Sequence, residues 1–320
     1  MDLIYADKNK IDVGVLLDFS LDLAFGSGEN DFELSVSTEQ NVCSEDYIVY
    51  IEGTEYGGVI DAIEVDSANR QMKYKGRTWH GILNSKVIQP NAGADYYIVS
   101  GDANTIIGTL ISRLSLGTLF RAKSESSGIT ISSYKFQRYT LAYDGLLDML
   151  GKVDAKLCIE YTVDGWVELS AVPATNYADD ELDSDHISFK ISKTFNPVNH
   201  LVCLGQGELS QRTVIHLYCD VNGNISTTQT IFGIDEYMSV YDYPNVESAE
   251  ELESEGRKRL KELNGSDRID VDLDDTFLFD IGDILSAVDV VTGISVTRKV
   301  TKKIVKINKN IVNVNYKVGE

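Results

Sequence analysis

The sequence has few of the residues that build metal centres, disulfide frameworks or membrane spans. Its four cysteines form no CxxC pair, and its four histidines show neither an HExxH motif nor another paired spacing. No apolar run approaches the ~20 residues that cross a bilayer, and the N-terminus lacks the basic and apolar regions of a secretory signal. We therefore expect buried free thiols, no metal site and no membrane span. The residues concerned are Cys43, Cys158, Cys203, Cys219, His80, His186, His200 and His216.

Motifs for cofactor binding and nucleophilic catalysis are also missing. The chain contains no phosphate-binding P-loop and no GxSxG elbow. The Gly205–Gly207 stretch lacks the third glycine of a dinucleotide loop and lies between strands. Residues 220–224 start like a calcium loop, but Ile225 replaces the turn glycine, which favours a hairpin. We predict no cofactor and no catalytic residue, although 50 acidic residues leave a two-carboxylate glycosidase open.

Charge is abundant but unevenly distributed. With 29 basic and 50 acidic residues the net charge is −21, which argues against a general nucleic-acid binder because phosphate contact needs clustered Lys and Arg. Residues 1–66 contain sixteen acidic groups and only Lys8 and Lys10, whereas residues 291–320 contain seven basic groups and only Glu320. The two ends are either solvated faces or complementary surfaces that dock on each other or on different neighbours.

Alternating apolar residues dominate the first 70 residues and indicate an all-β unit of about five strands. The segment Lys73–Pro90 follows, in which Tyr74 closes a strand, Gly76 turns the chain and a short amphipathic helix begins. Pro90 ends the segment. The first domain is therefore predicted at 1–90, and the simplest interpretation of its last segment is a packed joint between domains.

Residues 91–190 combine helical and strand-like patterns. Asp102 is placed to cap a helix with an apolar stripe, and Thr140 with Asp144 fits a loose capping box at a second helix. The Asp164–Gly165 dipeptide between two apolar runs predicts a hairpin. The middle domain is therefore predicted to be mixed α+β.

Residues 191–320 return to strands. A hairpin is predicted at 212–232, and a helix at 248–263 begins with a capping box of Ser248 and Glu251. The predicted fold class is therefore β-rich α+β, with two β-domains flanking a mixed middle region.

Three stretches resemble motifs of the phage tail hub, or tail-tip, family, which includes the baseplate hubs of contractile tails. The first is the aromatic-x-Gly-Arg-Thr-Trp string and the leucine after it. The second is an Asn-led apolar segment followed by Gly-x-Gly-Glu and an arginine, and the third is a Gly-Asp turn before the last β-domain. The matched positions, expected to be structural, are Tyr74, Gly76, Arg77, Trp79, Leu83, Asn199, Gly205, Gly207, Glu208, Arg212, Gly282 and Asp283.

This resemblance implies a non-enzymatic virion protein of the tail tip or baseplate, made in the bacterial host cytoplasm. Family members form homotrimers in which each protomer gives two tail-tube-like β-domains. Three copies then make a pseudo-sixfold ring that contacts the tail tube, the distal tail or baseplate proteins, and the tip or spike protein. Because the sequence ends at Glu320, we expect no lytic or receptor-binding extension.

The acidic N-terminal unit suggests a channel through which DNA passes without being bound, because like charge suppresses phosphate binding. This hypothesis requires many of six carboxylates to face one side. A tail-tip cell-wall hydrolase and a carbohydrate-binding or adhesion module are the alternative functions; the second would use exposed tyrosines, since Trp79 and Trp166 are the only tryptophans. The six carboxylates are Asp12, Asp18, Asp22, Glu33, Glu52 and Asp61.

If the segment Lys73–Pro90 is a packed joint between domains, Trp79 belongs to a core. The Trp79→Ala change is then expected to lower the free energy of unfolding by about 3–5 kcal/mol, measured by denaturant titration. An unchanged melting temperature would place Trp79 on a surface instead.

Overall fold

The computed structural model describes residues 2–183, 189–192, 197–246, 248–265, 268–274, 279–308 and 311–319. The fold is β-rich α+β, which confirms the predicted fold class. Residues 1–70 contain six strands, against about five predicted, and a seventh ends directly before the first helix. They are β1 (Leu3–Ala6), β2 (Asp12–Leu16), β3 (Ser20–Gly26), β4 (Asp31–Ser37), β5 (Ile48–Tyr50), β6 (Gly57–Asp66) and β7 (Gln71–Thr78), followed by α1 (Trp79–Asn84).

A middle unit of two helices and several short sheets follows α1. Its elements are β8 (Val87–Ile88), β9 (Tyr97–Asp102), α2 (Ala103–Arg113), β10 (Phe120–Ala122), β11 (Thr130–Phe136), β12 (Thr140–Leu141), α3 (Ala142–Gly151), β13 (Ala155–Tyr161) and β14 (Val167–Pro173).

The C-terminal part contains a small unit, made of β17–β20 and α4, between strands that belong to the large sheet. The elements are β15 (Asn176–Asp183), β16 (Phe189–Ser192), β17 (His200–Leu204), β18 (Val214–Cys219), β19 (Ile225–Ser226), β20 (Met238–Asp242), α4 (Ala249–Asn264), β21 (Arg268–Asp274), β22 (Ile284–Val288), β23 (Ser295–Asn308) and β24 (Ile311–Gly319).

Strands from both ends of the chain form one shared sheet. Its order is β16-β21-β24-β23-β3-β4-β7-β6-β5-β1-β2. Beside this path, β22 pairs with β23, and β15 pairs with β22. The junction is the antiparallel pair β3–β23, in which Leu21 lies opposite Ile307 and Leu23 opposite Val305. All four side chains are buried, because alternate residues of both strands point into the same core. The division into domains at 1–90, 91–190 and 191–320 remains a prediction.

Three apolar cores correspond to the three parts of the fold. The first lies under the shared sheet and mixes N-terminal residues such as Phe32 with C-terminal residues such as Tyr316. The second joins the middle unit to the sheet through Trp79, which is fully buried and stacks on Tyr161 with a centroid distance of 5.5 Å. The third packs α4 on β17 and β18. The segment around Trp79 is therefore a packed joint, as the sequence predicted.

Two of the three predicted helix starts are confirmed. Asp102 accepts hydrogen bonds from the Asn104 and Thr105 amides of α2, and the Ser248 hydroxyl accepts one from the Glu251 amide at the start of α4. The prediction of a capping box at Thr140 is wrong, because Thr140 pairs with Ile88 in a two-stranded sheet and α3 begins without a side-chain cap. The predicted hairpin at Asp164–Gly165 is confirmed as β13–β14.

Two further expectations need correction. Gly76 does not turn the chain: it lies within β7, opposite a bulge of β6 between Ile60 and Ala62. A Cβ atom at Gly76 would lie 1.9 Å from the Val59 carbonyl oxygen, so this glycine allows close approach of two strands. Cys158 is exposed, because it alternates with the core residues of β13, whereas the other three thiols are buried.

The close approach at Gly76 predicts that Gly76→Ala destabilises the protein by about 1–3 kcal/mol through overpacking. Gly151→Ala is the matched control, because its Cβ atom meets no neighbour at the end of α3 and alanine favours helix. Thermal unfolding of both variants tests this, and equal melting temperatures would contradict it.

Candidate functional site

Charged side chains cover the face of the shared sheet that points away from its core. A groove of about 680 Å³ crosses this face where Ala24, Ala62 and Gly76 leave space. Among its described side chains seven are acidic and six are basic, so the two signs nearly cancel. We call it the charged face, and its ionisable residues are Asp22, Glu29, Asp31, Glu33, Asp61, Glu64, Asp66, Lys73, Lys75, Arg77, Lys302, Lys306 and Lys317.

Ion pairs connect neighbouring strands across the charged face. Two of them join the acidic N-terminal part to the basic C-terminal part, so the oppositely charged chain ends dock on each other; Lys309 and Glu320 lie outside the described residues. Exposed pairs of this kind add little stability, and their main effect is to cancel charge. The pairs are Lys73–Glu33 (2.7 Å), Lys75–Glu64 (2.6 Å), Arg77–Asp61 (2.7 Å), Lys302–Glu29 (2.6 Å) and Lys306–Asp22 (3.3 Å).

The arrangement does not support a purely acidic channel wall. Of the six carboxylates that the hypothesis needs on one side, only Asp22, Glu33 and Asp61 lie on the charged face, and each is paired with a cation. Asp12 instead accepts a hydrogen bond from the Tyr50 hydroxyl at 2.7 Å, and Asp18 and Glu52 lie between strands.

A buried ion network lies where the shared sheet, α1 and the middle unit meet. Lys303 of β23 is only 5% exposed, and its Nζ lies 2.6 Å from Oε1 of Glu55 in the β5–β6 loop. The ammonium lies over the rings of Tyr56 and Tyr316, at 5.6 and 5.9 Å from their centroids. His80 of α1 approaches the second oxygen of Glu55, with Nε2 at 3.3 Å from Oε2. The network therefore ties β23 to the loop and to α1.

A second part of the network fixes the middle unit to the turn before β22. Lys156 Nζ of β13 lies 2.7 Å from Asp280 Oδ2 and 2.8 Å from Asp283 Oδ2. Asp283 is fully buried and also accepts hydrogen bonds from the amides of Asp280 and Thr175, both at 2.8 Å. Gly282 has φ +102°, a conformation that favours glycine. These contacts connect three separate stretches of the chain.

The network shifts the protonation equilibria of its members. Burial alone would raise the pKa of Glu55, but Lys303 and His80 outweigh it and lower the pKa to about 2. Burial disfavours the charged form of Lys303, yet Glu55 raises the pKa of this lysine above its ordinary value. Likewise Asp280 and Asp283 outweigh the effect of burial and raise the pKa of Lys156. All three groups are therefore charged at neutral pH.

Sequence reasoning missed this network. Its signal was a lysine at an inward position of a strand, because Lys303 shares its face of β23 with the buried Val305 and Ile307. A buried lysine needs a carboxylate partner. The sequence did not show which carboxylate, since Glu55 lies 248 residues away.

A histidine pair also escaped sequence reasoning, because its members are sixteen residues apart. His200 Nε2 lies 2.8 Å from His216 Nδ1, and His200 Nδ1 lies 2.5 Å from Glu236 Oε1. These contacts fix the loop before β20 to the small unit. His186 lies outside the described residues.

The first predicted motif lies at the joint between the shared sheet and the middle unit. Trp79 and Leu83 are buried there, Tyr74 is buried in the core under the shared sheet, and Arg77 is paired with Asp61 on the charged face. This motif therefore combines packing with a charge contact.

The second predicted motif organises the loops of the small unit. The Asn199 side chain donates to the Asp235 carbonyl at 2.7 Å and accepts from the Tyr237 amide at 3.0 Å. Arg212 Nε donates to the Gly205 carbonyl at 3.0 Å. This hydrogen bond closes the loop between Gly205 and Arg212.

The remaining motif positions complete this pattern. Gly207 has φ +104°, and its missing Cβ leaves room for the Gln211 carbonyl, whereas Glu208 is exposed. Gly282 and Asp283 belong to the buried ion network. The twelve positions therefore lie at three separate places, and their role as a family motif remains a prediction.

Among the described residues, no three His, Cys, Asp or Glu side chains come close enough to hold a metal ion. None of the described helices has both the length and the apolarity that crossing a membrane requires.

The ion network predicts a pH-dependent stability. Glu55→Gln removes the nearest carboxylate of Lys303 and leaves only Asp280 at 3.7 Å, so we expect a loss of about 3 kcal/mol in unfolding free energy at pH 7. The folded pKa of about 2 lies below the ordinary 4.5, so the contribution of Glu55 is complete above about pH 5 and is lost as pH falls towards 2. Denaturant titrations of wild type and variant should therefore converge over that range.

The control variant is Glu64→Gln, which removes an exposed partner of Lys75. It should leave the unfolding midpoint nearly unchanged at every pH. A constant difference between wild type and Glu55→Gln from pH 7 to pH 2 would contradict the role given to Glu55.

Neither a protein-family model nor a curated protein matches the sequence. Among solved structures, the chain is similar to the 43 kDa tail protein of prophage MuSo2 from Shewanella oneidensis, with TM-score 0.58 and 10% identity over 99% of this chain and 98% of that one. A tail protein from Neisseria meningitidis MC58 aligns over 100% of this chain and 96% of its own, with TM-score 0.54 and 13% identity. A chain of the p2 virion baseplate in its activated conformation aligns with TM-score 0.51 and 12% identity, over 99% and 98%. The predicted resemblance is therefore confirmed for the fold: the chain has the fold of phage tail and baseplate proteins.

Proposed function

We propose that the protein is a structural hub of a phage or phage-like tail, in which three copies close a pseudo-sixfold ring between tail tube and tip. The observation that carries the proposal is the pairing of β3 with β23, which sets N-terminal and C-terminal strands side by side in one protomer. Two such β-units per copy give six around a threefold axis. The fold shared with tail and baseplate proteins supports this role.

The outer half of β6 is suited to closing the ring. β7 pairs with β6 as far as Asp66, whereas β5 pairs only with its first three residues. In the described part of the chain, the other edge of residues 61–66 has no strand partner. Ile63 and Val65 lie on the core side of the sheet but are 43% and 57% exposed. An open edge with exposed apolar side chains is a ready site for strand addition.

The opposite end of the sheet supplies a second edge. Within the described residues β16 pairs with β21 alone. Two different edges on one protomer favour head-to-tail contacts, which close into a ring when the rotation between copies fits. The β6 edge of one copy and the β16 edge of the next would then continue the sheet around the axis.

In this ring the charged face would line the channel. Its described side chains include seven carboxylates and six cations, so phosphate groups meet no net positive charge and DNA passes without being bound. The groove across the face is lined by side chains already engaged in ion pairs. In this proposal DNA binding is weak because the charges of the face nearly balance, and not because the face is purely acidic.

The proposed partners are the tail tube, the distal tail or baseplate proteins and the tip or spike protein, at the tail tip of the virion. The proposed role is non-enzymatic and needs no cofactor. The similar solved structures are named as tail and baseplate proteins, which supports a structural role over a cell-wall hydrolase or an adhesion module.

The ring model predicts that Ile63→Asp with Val65→Asp prevents trimer formation. Both side chains are exposed in the protomer, so the variant should fold with a melting temperature close to wild type. At the interface two carboxylates would be buried without partners, which should weaken association by about 100-fold or more. Sedimentation velocity over a range of concentrations measures this change.

The matched control is Val163→Asp with Val291→Asp. These two valines are also exposed but lie in loops away from β6, at 84% and 89%. The control should associate like wild type. A trimer that forms equally well in both double variants would exclude the β6 edge as the contact.

A further inference from the structure

The four-stranded sheet of the small unit has one face covered by α4 and one face that remains accessible in the described part of the chain. The covered face carries Leu201, Cys203 and Leu217, which belong to the third core. Because successive residues of a strand point to opposite faces, the residues that alternate with these lie on the other side. We call that side the open face; it consists of His200, Val202 and Leu204 of β17, Val214, His216 and Tyr218 of β18, and Met238, Val240 and Asp242 of β20.

Five aliphatic side chains are neighbours on the open face. Val202 of the central strand lies opposite Val240, and Leu204 lies opposite Val214. Val214, Met238 and Val240 are 47%, 53% and 62% exposed, while the two residues of β17 are half-buried. A contiguous exposed apolar surface of this kind marks an interaction site.

The strand directions of the small sheet favour a helix as the missing layer. β17 and β20 pair in parallel, and parallel strands are normally covered on both faces by helices. Here α4 supplies only one of the two layers. The three strands β18, β17 and β20 together are about 10 Å wide, which is about the width of one helix with its side chains. The open face therefore has room for a single helix.

The charges of the small unit select a basic helix. Residues 197–246 contain five acidic residues and a single basic one, Arg212, whose guanidinium is already paired with a carboxylate. Carboxylates lie beyond both ends of β17, because Glu208 follows this strand and Glu236 contacts His200 at its start. Charge complementarity therefore attracts a cationic partner and repels an acidic one. The net charge of −21 acts in the same direction at longer range.

We propose that the open face docks an amphipathic helix of a partner protein, with aliphatic side chains on one side and Lys or Arg beside them. The aliphatic side chains would cover Val202, Val214 and Val240, and the cations would lie beside the carboxylates at the two ends of the face. This surface is separate from the β6 and β16 edges proposed to close the ring. That the partner is another tail protein rests on the proposed hub function.

Other occupants fit the open face less well. Two open faces of different copies would bring the same acidic residues together, and like charges across an interface oppose association. The helix α4 of a second copy is not available, because Leu252 and Leu260 bury its apolar side within its own unit. Nucleic acid needs clustered cations, and residues 197–246 offer one paired arginine.

The test uses the full chain and a fluorescein-labelled peptide of about eighteen residues, made of leucine and lysine and patterned so that the leucines form one side of a helix. We expect wild type to bind this peptide in fluorescence anisotropy at near-physiological salt. Val214→Asp with Val240→Asp should weaken binding about tenfold or more, because two carboxylates would be buried against leucine side chains. A purely electrostatic attraction would instead become stronger, since the variant adds two negative charges.

A second variant tests the charge of the face. Glu208→Gln with Asp235→Asn removes two exposed carboxylates near its ends without changing the aliphatic residues. It should weaken binding about threefold and make binding less sensitive to salt.

The matched control for the valine variant is again Val163→Asp with Val291→Asp, which makes the same chemical change in loops outside the small unit. It should bind the peptide within about twofold of wild type. A control peptide of the same composition, with leucine and lysine alternating as in a strand, should bind at least tenfold more weakly. Equal loss in both valine variants, equal binding of both peptides, unchanged or tighter binding by Val214→Asp with Val240→Asp, or no binding by wild type would overturn the proposal.

Sedimentation velocity of the same samples separates this proposal from the ring. A valine variant of the open face that binds the peptide weakly but still forms trimers assigns the defect to the open face. If wild type forms no trimer but binds the peptide as expected, the ring fails and the docking surface stands. A variant of the open face that folds but no longer forms trimers would overturn the proposal by placing these residues in the ring contact.

Discussion

The antiparallel pairing of β3 with β23 is the contact on which the rest of the structure depends. It brings strands from residues 20–26 and 295–308 together and builds one core from both chain ends. Lys303 lies within this ladder and is buried against Glu55. A buried ion pair of this kind is weak evidence for net stability, but a wrong register would leave both charges unpaired. We therefore regard the pair as a constraint on how the two ends align.

Charge balance follows from the same contact. The acidic excess of the N-terminal part and the basic excess of the C-terminal part meet on one face, where Lys302 pairs with Glu29 and Lys306 with Asp22. In the proposed ring this ion-paired face would line the channel, and the partly open β6 edge would form the contact between copies.

Local patterns predicted most elements but not their assembly. Alternation, the Asp102 and Ser248 caps and the Asp164–Gly165 turn depend on neighbouring residues, and all are confirmed. Glycine at position 76 is compatible with both a strand bulge and a turn, and only the partner strand tells the two apart. The shared sheet and the Lys303–Glu55 pair could not be predicted, because both join residues that are hundreds of positions apart.

The central claim is that two β-units fused within one chain close a threefold ring. The most direct test is the mass of the wild-type protein in solution, measured by light scattering over a range of concentrations and salt. The account predicts a species of three times 35.5 kDa. A closed dimer, or a monomer that persists at the highest concentration reached, would contradict it, because neither closes six β-units around an axis.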